Sequence, residues 1–210
     1  VASYDRALAA MKVLIVAKTK MSQACCVGGL DAKNASLRLY HPGGICPPVD
    51  SPYHIGQIWE MTVKPAPSPR PPHLEDVVVK EKRYLYWQNN LTQHLLRRIE
   101  PWTGGIHKLF QGDLLFTNRG RGYIESPSIP TQSTWFWLSD LDLHHTLIEE
   151  KSYYSYNGRY HLPYVGFEQP EPVLPAGTLL RVSLARWWKP EDADQTLPER
   201  CYLQLSGWYT

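Results

Sequence analysis

Gly177-Thr-Leu-Leu-Arg-Val-Ser-Leu-Ala-Arg-Trp-Trp-Lys-Pro190 and, after a polar loop, Arg200-Cys-Tyr-Leu-Gln-Leu-Ser-Gly-Trp-Tyr209 lie near the end of the chain. Both runs alternate with period two, the pattern of half-buried strands. In the first, Leu180, Val182 and Leu184 share one face, opposite Leu179, Arg181, Ser183, Ala185 and Trp187. In the second, Cys201, Leu203 and Leu205 are the apolar set, opposed by Tyr202, Gln204, Ser206 and Trp208. This predicts two strands with a core face and an outer face that mixes arginine with aromatics. Trp187 and Trp188 cannot point the same way in a strand, so Trp188, on the Leu184 face, is expected in the core.

An earlier stretch, Gly56-Gln-Ile-Trp-Glu-Met-Thr-Val-Lys-Pro65, has the same plan: a glycine, an alternating strand, then Lys-Pro opening a proline-rich loop. A further strand, Val77-Val-Val-Lys-Glu-Lys-Arg-Tyr-Leu-Tyr86, follows, an echo that suggests a β-module used twice, although glycine before a strand and proline after it are common punctuation. The composition agrees. Eighteen prolines, 8 tryptophans and 13 tyrosines in 210 residues suit short strands joined by turns. A formal charge of +2 gives no overall bias toward nucleic acid, so any such role must rest on local clusters.

Several function classes find no support. Cys25, Cys26, Cys46 and Cys201 form no C-x-x-C and no Cys/His pair at zinc-finger spacing, which predicts reduced, mostly core thiols in a cytoplasmic protein. The eight histidines show no metalloprotease spacing, so no metal is expected. No apolar run nears the roughly 18 residues that span a bilayer, and no signal peptide is recognised. His73-Leu-Glu-Asp76 has the residue types of an acid/base pair, but after Pro71-Pro72 it reads as a turn into a strand. No catalytic residue and no cofactor is therefore predicted. Since Met11-Lys12 immediately precedes the first strand, residues 1–10 are taken as an N-terminal extension or tag remnant.

From there Lys12-Val-Leu-Ile-Val-Ala17 predicts a strand buried on both sides, and Ser36-Leu-Arg-Leu-Tyr-His41 an alternating one, with a loop carrying Gly28-Gly29 between them. Asn90-Leu-Thr-Gln93 has the form of a capping box, opening a helix that places Leu91, Leu95, Leu96 and Ile99 on one face before Pro101. Ser139-Asp-Leu-Asp142 predicts a second short helix, through Glu150. In Tyr153-Tyr-Ser-Tyr-Asn-Gly-Arg-Tyr-His-Leu162, Asn157-Gly158 is the preferred pair for a two-residue hairpin, which sets Tyr156 opposite Arg159 and Tyr154 opposite His161 on one face.

Met11-Lys-Val-Leu-Ile-Val-Ala-Lys-Thr-Lys-Met21, Cys26-Val-Gly-Gly29, Gly56-Gln-Ile-Trp59, Pro71-Pro-His-Leu-Glu-Asp-Val77 and the two C-terminal strands, in that order, resemble the bacterial dual OB-domain family over nearly all of residues 11–209. The resemblance implies two tandem OB-like β-barrels with one or two short helices, a setting in bacterial conflict or anti-phage systems, and nucleic-acid binding. The expected boundaries are 11–130 for the first barrel and 131–210 for the second.

Single-stranded nucleic acid is held by aromatic rings that stack on bases and by cations that neutralise phosphates. Three places offer both: the loop with Arg119, Arg121 and Tyr123; the hairpin face of Tyr154, Tyr156, Arg159 and His161; and the outer face of Arg181, Trp187, Tyr202 and Trp208. The tyrosines equally suit plain cross-strand packing, and the arginines a solvated turn. The expected partner is thus single-stranded or structured nucleic acid, or alternatively a protein subunit of a defence complex docked on the same surfaces.

Overall fold

The computed structural model describes residues 10–191, 194 and 196–210. It is mainly β and divides into two compact units, the first ending at Pro69 but regaining Glu75–Asn89, the second made of Arg70–Leu74 and Asn90–Thr210.

In the first unit, β1 (Met11–Lys20), β2 (Cys25–Leu30), β3 (Ser36–Tyr40), β4 (Gln57–Pro65) and β5 (Asp76–Trp87) close a barrel in the order β1-β2-β3-β5-β4. All neighbours are antiparallel except β3 and β5. The continuous apolar run of β1 is buried on both faces, as its composition predicts. Gly28 and Gly29 lie within β2, not in a loop; a Cβ on Gly29 would meet Val13 Cγ1 at 2.5 Å, so the bare backbone lets two strands close on the core. Val13, Ile15, Leu39, Trp59, Met61 and Val63 belong to that core.

The second unit begins with α1 (Leu91–Leu96), β6 (Trp102–Gly104) and a 3-10 segment at Ile106–Gly112. Then come β7 (Leu115–Phe116), β8 (Gly122–Ile124), β9 (Thr134–Ser139), β10 (Leu143–Ile148), β11 (Lys151–Tyr156), β12 (Tyr160–Pro163), β13 (Val173–Leu174), β14 (Leu179–Leu184) and β15 (Cys201–Tyr209). A curled six-stranded sheet runs β6-β9-β14-β15-β8-β7, and a four-stranded sheet runs β12-β11-β10-β13. Tandem OB-like barrels describe the whole, the first closed and the second a curled half-barrel.

The division between compact units does not fall at residue 130. With β1–β5 the first barrel is already closed, and β6 pairs with β9 and β8 with β15. Within the second unit, Arg70–Leu74 is tied by side chains. Trp187 Nε1–H donates to Pro71 O at 2.7 Å, Arg70 lies 4.7 Å over the Trp187 ring, and His73 Nε2 is 3.2 Å from Leu184 O. His73 is fully buried there, while Glu75 and Asp76 lie 2.8 and 3.6 Å from Arg38. These contacts are structural, in keeping with a turn into a strand.

Three local expectations are corrected. Asn90 adopts a left-handed conformation with no side-chain cap, so the capping box does not form, although Leu95 and Ile99 are buried as expected. The helix expected through Glu150 is β10, paired with β11 from Leu143↔Tyr156 to Ile148↔Lys151. Ser139 Oγ binds the backbone of Leu141, turning the chain instead of starting a helix. In the tyrosine hairpin, Asn157 and Gly158 both take positive φ and Arg159 N–H reaches Tyr156 O at 3.3 Å, so the turn forms as read. Arg159 then bulges out and Tyr156 pairs with Tyr160, Tyr154 with Leu162. This register gathers four apolar residues on one face, which the tighter one would have split between both.

The doubled β-module is borne out by the pairings. Gly56 N–H donates to Ile15 O of β1, and Gly177 N–H to Ser139 O of β9. Three residues beyond each glycine, Trp59 pairs with Val13 and Tyr84, and Leu180 with Trp137 and Trp208. Thus β1-β4-β5 and β9-β14-β15 are matching triads, and Tyr84 is the counterpart of Trp208.

Candidate nucleic-acid interface

A groove of about 650 Å³ opens at one end of the second unit, lined by Thr117, Arg119, Arg121, Trp188, Tyr202 and Gln204 among others. Its floor is the end of β15, where alternation turns Tyr202 and Gln204 away from the buried Cys201, Leu203 and Leu205. One wall is the turn Thr117–Arg121. Thr117 N–H donates to Arg121 O, Gly120 N–H to Thr117 O, and Arg121 N–H to Thr117 Oγ1. The turn sits directly on the tyrosine hairpin, because His161 N–H donates to Gly120 O at 3.0 Å. Gly120, at φ +73°, is required twice over: a Cβ there would come within 1.9 Å of Arg159 O.

Trp188 also lines the groove. β14 ends at Leu184, so strand parity does not carry through to the two tryptophans. Trp187 packs half-buried against the core, and Trp188 is 54% exposed, the reverse of the expectation. Reciprocal backbone bonds with Arg200, 3.0 and 2.9 Å, fix the Trp188 main chain. Its ring stands edge-on to Tyr202 at 6.2 Å, and Tyr202 lies 5.9 Å from Tyr123. Arg121 lies 5.2 Å from the Tyr202 ring and 5.6 Å from that of Tyr153. Arg200 lies 4.1 Å over Tyr123 and donates through Nε to Glu125. Among the described residues no carboxylate pairs with Arg119 or Arg121, whereas Arg200 is neutralised.

The groove therefore gathers Arg119, Arg121 and Tyr202, with the largely buried Tyr123 beneath. Arg159 is exposed on the adjoining turn and His161 half-buried beside it. Five other residues predicted from sequence lie elsewhere. Tyr154 and Tyr156 are core residues whose hydroxyls donate to Glu171 O and Asp140 Oδ1, each at 2.8 Å, and burial pushes both phenols up to about 12. Arg181 is only 2% exposed, 4.8 Å from the Phe136 ring, because β14 is a central strand buried on both faces. Trp208 packs on Tyr154 and Tyr164, and the Trp187 indole is engaged by Pro71 and Arg70. A register shift between Arg181 and Val182 upsets alternation at the Ser206–Trp208 end of β15.

Trp188 and Gln204 were missed as site residues. The Lys-Pro pair after Trp188 was the available sign that the strand had already ended. Among the described residues no three His, Cys, Asp or Glu side chains group as metal ligands, and no helix is long and apolar enough to cross a membrane. All four cysteines are free thiols, Cys25 and Cys201 buried.

A sequence model of the dual OB-containing domain family matches residues 11–208. No curated protein matches the chain. Among solved structures, the crystal structure of the p204 HINb domain is similar at 13% identity and a TM-score of 0.34, covering 97% of this chain and all of that one.

Proposed function

Because the chain belongs to the dual OB-containing domain family, we propose that it is a non-enzymatic module that holds single-stranded or structured nucleic acid in the groove of its second unit. The observation that carries this is the meeting in one groove of exposed Trp188 and half-buried Tyr202 with Arg119 and Arg121, cations that no carboxylate pairs with among the described residues. Rings supply stacking, about 1–3 kcal/mol per base, and the arginines take phosphates. Arg159, held next to the turn by the Gly120 contact, extends the cationic rim. A bacterial defence assembly is the setting we propose, on the family resemblance.

Fluorescence anisotropy with labelled single-stranded DNA, single-stranded RNA and duplex over a salt series tests this. Single strands should bind most tightly, with affinity falling steeply as salt rises. Trp188→Ala or Tyr202→Ala should weaken binding about five-fold or more. No binding to any of the three at low salt would sink the idea.

A second reading, an adaptor docking a partner subunit of the assembly, is favoured by the exposed Leu147 and Ile148 at the tip of β10 and by the net charge of only +2. Salt-insensitive co-purification of a partner, lost on Leu147→Asp, would select it over the first.

A further inference from the structure

We propose that the mouth of the first barrel is a second, separate platform for single-stranded nucleic acid, formed by Tyr84 and Trp87 with Lys82 on β5. It goes beyond the groove of the second unit and shares no residue with it.

Beyond Val79, β5 is paired with β4 alone, since β3 meets it only at Asp76–Val78. From Lys80 to Trp87 the strand is therefore open on one side. Register decides what faces the mouth. Lys82 pairs with Met61, Tyr84 with Trp59 and Trp87 with Gln57, so these three stand on the core side of the ribbon, with Leu85 absorbed by a shift between Ile58 and Trp59. Yet Tyr84 and Trp87 are 46% and 48% exposed. Their rings stand about 7–10 Å apart by strand rise, a separation over which neighbouring unstacked bases can each find a face.

Both rings are held. Tyr84 packs edge-on to Trp59 at 5.7 Å, and Trp87 covers Gly56 beside His54. Lys82 Nζ lies 4.5 Å from the Tyr53 ring. Charge separates a nucleic acid from an acidic or neutral partner. Glu60 and Glu81 stand on the other side of the ribbon by alternation, where Glu60 binds Arg83 at 2.8 Å, so the mouth side of β4 and β5 carries Lys82 and no carboxylate.

The second unit shows what this position accepts. Trp208, the counterpart of Tyr84, is packed against two aromatic rings, Tyr154 at 5.8 Å and Tyr164 at 5.1 Å. These rings come from β11 and from the chain just after β12, in and beside the four-stranded sheet. The closed barrel has no such sheet, so the equivalent ring is left free for rings from outside. Bases with a phosphate for Lys82 meet both conditions.

The test uses the full chain and a labelled oligothymidylate of about five nucleotides, short enough for one platform. In a Trp188→Ala background, Tyr84→Ala with Trp87→Ala should weaken the remaining affinity at least about five-fold. Tyr84→Phe with Trp87→Phe, which keeps the rings, should retain it. Photocrosslinking of a 5-iodouracil strand should mark the peptide containing Tyr84 and Trp87 as well as that containing Trp188. Unchanged affinity in the Ala pair, equal loss in the Phe pair, or crosslinks confined to the Trp188 peptide would each overturn the proposal. Crosslinks confined to the Tyr84 peptide would sustain it and remove the groove instead.

Discussion

Tyr84 and Trp208 occupy the same place in two matching strand triads, three residues past an initiating glycine and across the ladder. In the closed barrel the ring is half in solvent; in the open unit it packs against tyrosines from β11 and the chain just after β12. The local sequence is aromatic in both. The difference lies in the chain inserted between the first and second members of each triad. In the first unit that chain completes a ring, leaving the mouth bare; in the second it builds a separate four-stranded sheet whose tyrosines fill it. Whether an aromatic is core or platform thus depends on topology more than on its own strand.

Deleting each ring gives the strongest test of the contrast. Trp208→Ala removes contacts with two rings and should destabilise the protein by up to about 3 kcal/mol, the lower end of the range for buried aromatics, because the ring is itself only partly buried. Tyr84→Ala should cost no more than about 1 kcal/mol, since nearly half of the residue is already in solvent. Urea denaturation of both variants decides it, and similar losses would show that the barrel mouth is packed after all.

The adjacent tryptophans sharpen the same contrast within one segment. Trp187→Ala should cost about 2 kcal/mol, because it voids packing on the core and strands the Pro71 carbonyl, and should leave strand affinity unaltered. Trp188→Ala should leave stability within about 0.5 kcal/mol and lower affinity. Thermal melts and anisotropy on the pair would reverse these roles if β14 in fact continued to Lys189.

The cores of both units were legible from periodicity. Leu180, Val182, Leu184, Cys201, Leu203 and Leu205 are all buried as their alternation requires, and β1 is buried on both faces. The outer faces were less so, for three physical reasons. Arg181 lies on a central strand, where the polar side of an alternating pattern is covered as well. Tyr154 and Tyr156 changed faces because Arg159 bulged by one residue, and a slip of one inverts a whole strand. The groove itself joins residues from 117 to 204, and only the Gly120 contact with Arg159 shows why its turn lies where it does. A lone glycine in an Arg-Gly-Arg-Gly run carries no mark of its partner.

Arg119 and Glu125-paired Arg200 offer a smaller test on the groove. If Arg119 neutralises one phosphate, Arg119→Ala should reduce the slope of log affinity against log salt by about 0.7, the value for a single strand. Arg200→Ala should change the slope less, because its charge is already compensated by Glu125 at 2.9 Å. Equal changes would mean that Arg119 does not face the strand.

The weakest expected effect probes the barrel mouth through a neighbour. Burial, and then the charge of Lys82, hold the His41 imidazole below its ordinary value; burial, and then Arg98 and Arg97, do the same to His94 in the second unit. Each histidine therefore binds fewer protons folded than unfolded. Its neutral form is accommodated without penalty above the unfolded pKa of about 6.5, and stability is lost as pH falls from there through the lower folded value. Lys82→Gln should raise the His41 titration midpoint, read from its ring proton by NMR, and leave that of His94 in place. Because burial is the larger cause, the midpoint should recover only in part. A His41 midpoint indifferent to Lys82 would place that ammonium in open solvent, and the barrel mouth would lose the cation that distinguishes it from the tyrosine-filled end of the second unit.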